Sequence, residues 1–383
     1  MATQSIFLIY LVGTLLGVIS GFVMHRSDYC MAGMFRDIFM FRQTFRIRAL
    51  ALQIVLTMIV IEVFRLLHLL PLYPFPLLNP PSLANLIGGF LFGIGMVLAG
   101  GCVVGTLYKM GAGNLLSVCA FGGLLIGSAA YAEIHPWWVK VIANTGLGTK
   151  SLTLPQLTGL NPTVFVLAFA AAALPLFRRW RAEHRWEIAS HVRGYLQPWK
   201  GAVVLAAVSL LSYLLVGMPL GISTTYAKMA AMLEMTVAAK HVADLSFFLA
   251  TPLHVVHPSS GVLLSGGGGP GFDYIWMIQF PVIGGIVLGS AISALRLREF
   301  KIYRRIPGKQ FLITLGGGIL LGLSSRMASG CNVWHLMGGL PILALSSLMF
   351  LGGLLPGTWA GSRLLSGFLG LKPIVFRKEK HDR

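Results

Sequence analysis

Gly88-Gly89-Phe90-Leu91-Phe92-Gly93, running on to Ala99-Gly100-Gly101-Cys102, is matched later in the chain by Gly317-Gly318-Ile319-Leu320-Leu321-Gly322 and Ala328-Ser329-Gly330-Cys331. Every glycine of the second copy except Gly316 lies 229 positions after one in the first. In both copies a Gly-Gly pair is followed four residues later by Gly and thirteen later by Cys. A duplicated, glycine-broken apolar helix with a thiol at its end describes a substrate path through a membrane. It is not the pattern of a soluble core.

Composition points the same way. The 383-residue chain is 56% hydrophobic and 11% charged, where a soluble domain carries about 25% charged residues. Apolar stretches of roughly 20 residues recur, the length that spans a bilayer as a helix. These runs are continuous rather than alternating, which disfavours a transmembrane β-barrel. The expected fold class is an all-α polytopic integral membrane protein. Its first apolar segment, Ser5 to Met24, has no preceding basic region and no small-residue cleavage site. It reads as a retained span rather than a signal peptide.

Net charge is +18, from 30 Lys and Arg against 12 Asp and Glu. On a soluble protein this would suggest a nucleic-acid partner. Here the cations cluster in loops, where they set topology and meet anionic lipid, so no nucleic acid is expected. The clusters are Arg36, Arg42, Arg46 and Arg48; Arg178, Arg179, Arg181, Arg185, Arg193 and Lys200; Arg296, Arg298, Lys301, Arg304, Arg305 and Lys309; and Arg377, Lys378, Lys380 and Arg383. The positive-inside rule makes all four regions cytoplasmic. Spans then fall at about 5–24, 48–69, 83–101, 112–132, 160–177, 201–220, 274–295, 310–327 and 341–367. This gives about nine membrane helices plus short re-entrant ones. The N-terminus lies outside and the C-terminus in the cytoplasm, across the cell's inner (plasma) membrane. The expected units are a first membrane repeat (1–177), a basic cytoplasmic linker (178–200) and a second repeat with a basic tail (201–383).

Charge counting also gives the duplication a direction. The Cys102 helix runs inward and the Cys331 helix outward. A weaker match, Ser27-Asp28-Tyr29-Cys30 with Thr224-Thr225-Tyr226-Ala227, follows two spans that also run in opposite senses. Inverted pseudo-two-fold repeats are expected, with the substrate site at their interface. Tyr29 to Cys102 is 73 residues and Tyr226 to Cys331 is 105, so the second half holds about 32 extra residues, placed near 245–272. That stretch carries Ser265-Gly266-Gly267-Gly268-Gly269-Pro270-Gly271. It is no regular helix, and reads as a re-entrant or surface loop.

The candidate site residues are Cys30, Cys102, Cys331, Gly101, Gly330, Asn332 and His335. Glycines beside Cys102 can break a helix and turn backbone amides toward a cavity, which makes an anion site. They can equally serve close helix packing. Asn332 and His335 add polar groups beside Cys331; His335 either contacts substrate or is a packed residue satisfied by backbone. Cys30, whose repeat partner is Ala227, breaks the symmetry of the path. Cys119, opposite Leu348 in the repeat, reads as packing. Glu62 and Arg65 read as a structural pair. Arg326 can attract an anion or reach the interface. His254 and His257 lack a third ligand, so no metal is expected. The four cysteines show no C-x-x-C spacing, which argues against a zinc knuckle or a redox dithiol. No nucleotide-binding motif is present, and neither a cofactor nor an enzymatic activity is expected.

At these residues the chain resembles the YeeE/YedE sulphur-transport family. The resemblance rests on Gly88-Gly89…Gly93…Gly100-Gly101-Cys102-Val103-Val104-Gly105, on Gly317-Gly318…Gly330-Cys331, and on Tyr29-Cys30 followed by Phe35-Arg36-Asp37. It implies an hourglass-shaped channel or transporter for thiosulfate uptake. It also implies a relay of the anion by transient S–H···S contacts at the positions of Cys30, Cys102 and Cys331, and a small cytoplasmic sulfurtransferase-like partner. Some members are linked to selenium, so a selenium-compound transporter is an alternative, as is a membrane thiol oxidoreductase or sulfurtransferase. One departure is Trp334 three residues after Cys331, where Cys102 has Gly105; the ring can narrow the path. Thiolates would repel a dianion, so Cys102 and Cys331 are expected to stay neutral, and weak thiol contacts suit a site that must release its ion.

Overall fold

A computed structural model describes residues 2–70, 72–188, 190, 192, 194–256, 263–303 and 305–370. Arg193, His257, Arg304 and the basic residues from Arg377 onward lie outside the described residues.

The helices follow the apolar runs. They are α1 (Ala2–Arg26), α2 (Met31–Phe41), α3 (Phe45–Leu66), α4 (Leu83–Leu98), α5 (Val103–Gly111), α6 (Leu115–Asn144), α7 (Leu154–Thr158), α8 (Pro162–Ala182), α9 (Pro198–Val216), α10 (Ser223–Asp244), α11 (Ser246–Leu249), α12 (Tyr274–Arg296), α13 (Gly308–Met327) and α14 (Leu345–Leu369). A π-helical turn at Val333–Gly339 and a 3₁₀ turn at Leu340–Ile342 link α13 to α14. The protein is thus an all-α polytopic membrane protein. Among the described residues, seven helical stretches are long and apolar enough to cross a membrane: α1 running into α2, α3, α4 running into α5, α6, α8, α9 and α12. Segments 310–327 and 341–367 do form α13 and α14, but their glycines and serines dilute the apolar content. Other helices, rather than lipid, cover much of both.

Packing follows a regular scheme. α1 lies on α12 and α3 on α9; α4 lies on α14 and α6 on α13; α4 and α13 meet each other at the centre. Glycines permit these approaches. A Cβ on Gly93 of α4 would fall 2.6 Å from the Thr358 nitrogen and 2.7 Å from the Leu354 oxygen of α14. Small residues at such contacts let helix backbones close together where lipid offers no hydrophobic drive.

The described part of the 245–272 insertion holds regular structure. It contains α11 and an antiparallel hairpin of β1 (Leu253–Val256) and β2 (Leu263–Gly266), with Leu253 opposite Gly266. The glycine run after β2 is clasped by an ion pair whose lysine is buried. Lys228 donates to Asp273 Oδ2 at 2.6 Å and to the Gly269 carbonyl at 2.8 Å, while Asp273 accepts from the amides of Gly267 at 2.9 Å and Trp276 at 3.0 Å. The acid so caps α12 as well. α8 runs to Ala182, past the expected end of its span, and α9 starts at Pro198.

Glu62 and Arg65 form the expected pair, at 2.6 and 2.7 Å, and Thr163 Oγ1 donates to Glu62. Cys119 is half-buried with its thiol 3.7 Å from the Phe311 carbonyl. His241 joins Glu133 at 2.5 Å in a surface pair between α10 and α6.

Candidate functional site

The doubled Gly-Cys segments form matching structures. Gly100, just past the C-cap of α4, has a φ of +69°, and Ser329, just past the C-cap of α13, has a φ of +60°. A left-handed residue just past a helix turns the chain out of the helical path. Glycine does this freely, whereas serine is uncommon there. Each turn delivers a cysteine to the start of a second helical element. Cys102 caps α5, its sulfur accepting from the Gly105 amide at 3.2 Å. Cys331 leads into the π-helical turn, and its carbonyl accepts from the His335 amide at 3.0 Å. Cys30 occupies the N-cap of α2.

The three thiols are free and buried, with exposures of 3% for Cys30, 2% for Cys102 and 0% for Cys331. Gly105 separates two of them: a Cβ there would lie 3.3 Å from Cys102 Sγ and 3.5 Å from Cys30 Sγ. Cys331 and the Asn332 side chain lie near enough to act on the Cys102 thiol. The Asn332 amide is fully buried, and among the described residues its oxygen and nitrogen find no hydrogen-bond partner beyond the neighbouring Cys102 thiol. Orphaned buried polar atoms are rare and call for an explanation. Tyr108 lies beside Cys30, and among the described residues its buried hydroxyl finds no partner beyond that thiol.

Two cavities flank this cluster. One, of about 770 Å³, is lined by Tyr108, Asp28, Arg26, Lys109, Lys301 and Arg305. The other, of about 560 Å³, is lined by Arg326, Ser223, Thr224, Ser329, Gly330 and Trp334. The cysteines line neither cavity; they lie in the protein between them.

The remaining candidates divide. Gly101 packs on the first turn of α5, where a Cβ would be 3.3 Å from the Gly105 carbonyl carbon. Gly330 lies under Trp334, whose Cδ1 would be 2.5 Å from an added Cβ. Trp334 itself packs edge-on against Phe75, with ring centroids 5.1 Å apart. His335 has both ring nitrogens engaged, Nδ1 with Ser347 Oγ at 2.9 Å and Nε2 with the Ala328 carbonyl at 3.0 Å. Its ring stacks on Phe350 at 4.3 Å. It holds the Cys331 turn against α14 and offers no free nitrogen. Tyr108 escaped the sequence reading. Its signal was position: six residues beyond Cys102, on a short helix with an uneven apolar face.

Apolar helices that hold buried polar groups between two cavities define a membrane transporter. The chain belongs to the sulphur-transport family, whose profile, described as "Sulphur transport", matches residues 26–360. It is similar to the thiosulfate transporter TsuA of Spirochaeta thermophila, with 29% identity over 367 residues covering 92% of this chain and 98% of the relative. It is also similar to the thiosulfate transporter TsuA of Escherichia coli, with 27% identity over 380 residues covering 94% and 95% of the two chains. A shorter match joins it to the probable transporter YedE of Escherichia coli, 29% identical over 134 residues, 34% of this chain and 27% of that one. The expectation of a transporter rather than an enzyme agrees with this family.

Proposed function

We propose that this protein carries thiosulfate across the membrane by passing it along Cys331, Cys102 and Cys30. The observation that carries this reading is the buried cluster of free thiols around an unsatisfied Asn332 amide, between two cavities. Thiosulfate is a soft dianion with a polarisable terminal sulfur. A neutral S–H donates weakly to that sulfur, and the Asn332 amide supplies a stronger donor beside it. Each contact is weak enough to release the ion to the next. Gly105 keeps side-chain bulk away from the Cys102 and Cys30 thiols.

In this proposal the two halves are inverted repeats. The packing scheme supports it: exchanging α1 with α9, α3 with α12, α4 with α13 and α6 with α14 maps the helix pairs onto one another. The cavity lined by Arg26, Lys109, Lys301 and Arg305 faces the cytoplasm, in keeping with the positive-inside rule. The N-terminus is then outside and the membrane is the cell's inner one. A small sulfurtransferase-like protein at the inner cavity is the acceptor.

The test is entry of radiolabelled thiosulfate into proteoliposomes made with the wild-type protein, with unlabelled anions as competitors. Thiosulfate should enter faster than into protein-free vesicles. If selenite or selenosulfate is carried and thiosulfate is not, the substrate assignment is wrong.

A further inference from the structure

Arg326 is the last cation of α13 and is 8% exposed. It borders the 560 Å³ cavity. Its Nη1 donates to Thr224 Oγ1 at 3.0 Å and its Nη2 to Ser223 Oγ. Among the described residues its Nε–H meets no acceptor. Among the described residues no carboxylate lies within 4.0 Å of the guanidinium. Contrast Arg65, which is matched by Glu62, and the buried Lys228, which is matched by Asp273.

A buried cation without a counter-charge is costly unless another group supplies the charge. Hydroxyls are poor substitutes, since they accept a hydrogen bond without neutralising anything. Both hydroxyls belong to the first turn of α10, whose amino-terminal end adds positive potential to the same spot. Arginine presents a planar fork of N–H donors that suits the oxygens of a tetrahedral oxyanion. The repeat partner of Arg326 is Val97, a buried apolar residue of α4. The cation therefore belongs to one side of the path only. It is also next to the thiols: Ser329 and Gly330 line the same cavity and lead directly to Cys331.

We propose that Arg326, held by Ser223 and Thr224, is a capture site for tetrahedral oxyanion dianions at the cavity leading to Cys331. This rests on reading the protein as a thiosulfate transporter. The site recognises charge and oxygen geometry, which sulfate shares with thiosulfate. Discrimination between them falls to the thiols, where only thiosulfate offers a soft terminal sulfur. Capture and selection are thus separate steps on separate residues.

The experiment is equilibrium binding of thiosulfate and of sulfate to the purified full-length protein by calorimetry, beside flux in proteoliposomes. In the wild type, sulfate should displace thiosulfate from binding yet not be transported. Arg326→Gln should weaken both anions roughly ten- to hundredfold, as expected for lost charge-assisted hydrogen bonds. Arg326→Lys should recover part of this. Cys331→Ala should lose transport of thiosulfate. Unchanged affinity in Arg326→Gln overturns the proposal, even where the cysteine variants lose flux. Failure of sulfate to compete in the wild type overturns it too, and needs no variant to fold. Conversely, full flux in the cysteine variants would defeat the relay while leaving capture at Arg326 standing.

Discussion

Gly105→Ala separates transport from folding at the point where two thiols converge. The added carbon would sit 3.3 Å from Cys102 Sγ and 3.5 Å from Cys30 Sγ. The longer distance is ordinary contact, and the shorter one needs a shift of a few tenths of an ångström. Gly105 lies in the first turn of α5 with a helical backbone, so alanine gains up to about 1 kcal/mol of helix propensity. That gain offsets the tight contact, and net stability should stay within about 1 kcal/mol of the wild type. Transport has no such compensation. A methyl group would occupy the space a dianion must cross between Cys102 and Cys30, and a barrier raised by only about 1.4 kcal/mol slows entry tenfold. The variant should therefore melt in detergent near the wild-type temperature, while radiolabelled thiosulfate enters proteoliposomes at least tenfold more slowly. Wild-type flux through Gly105→Ala would refute the idea that substrate passes between these thiols.

Other substitutions test the architecture. Gly93→Val should destabilise the α4–α14 contact by about 1–3 kcal/mol of overpacking, because the Thr358 nitrogen 2.6 Å from the new Cβ is backbone and cannot turn aside; an unchanged melting temperature would contradict this packing. Asp273→Ala should lower the melting temperature more than Lys228→Met. The first strands a Lys228 that is 1% exposed and removes a cap worth about 1 kcal/mol, whereas the second leaves the Asp273 bonds to Gly267 and Trp276 intact; the reverse order would show that the lysine organises the glycine run alone. Arg65→Gln should cost more than the double change Glu62→Gln with Arg65→Gln. Leaving one partner of a buried pair costs roughly 3–5 kcal/mol at full burial, and less here because Arg65 is 24% exposed. Thermal unfolding of the three proteins checks the order.

Much of this fold was open to reading from sequence because bilayer thickness imposes a length on apolar runs. The helix positions and the doubled Gly-Cys turn both came from such local signals. Ser329 shows the power of the repeat: serine rarely adopts a left-handed backbone, yet its register with Gly100 marks it. The site was less legible, since its chemistry depends on partners far along the chain. His335 left open a substrate contact or a packed role, because only tertiary packing shows that Ser347 and the Ala328 carbonyl engage both its nitrogens. Arg326 left open two roles, because only tertiary packing shows that Ser223 and Thr224, rather than a carboxylate, face it. Asn332 stands out for bonds it does not make, which no pattern of residues records.

The most direct test of the relay is the initial rate of radiolabelled thiosulfate entry into proteoliposomes holding Cys102→Ala or Cys331→Ala, with Cys119→Ala as the comparison. The proposal requires entry to be lost in the first two at equal protein content and to persist in Cys119→Ala, whose thiol lies outside the cluster. Undiminished entry through both Cys102→Ala and Cys331→Ala would contradict it.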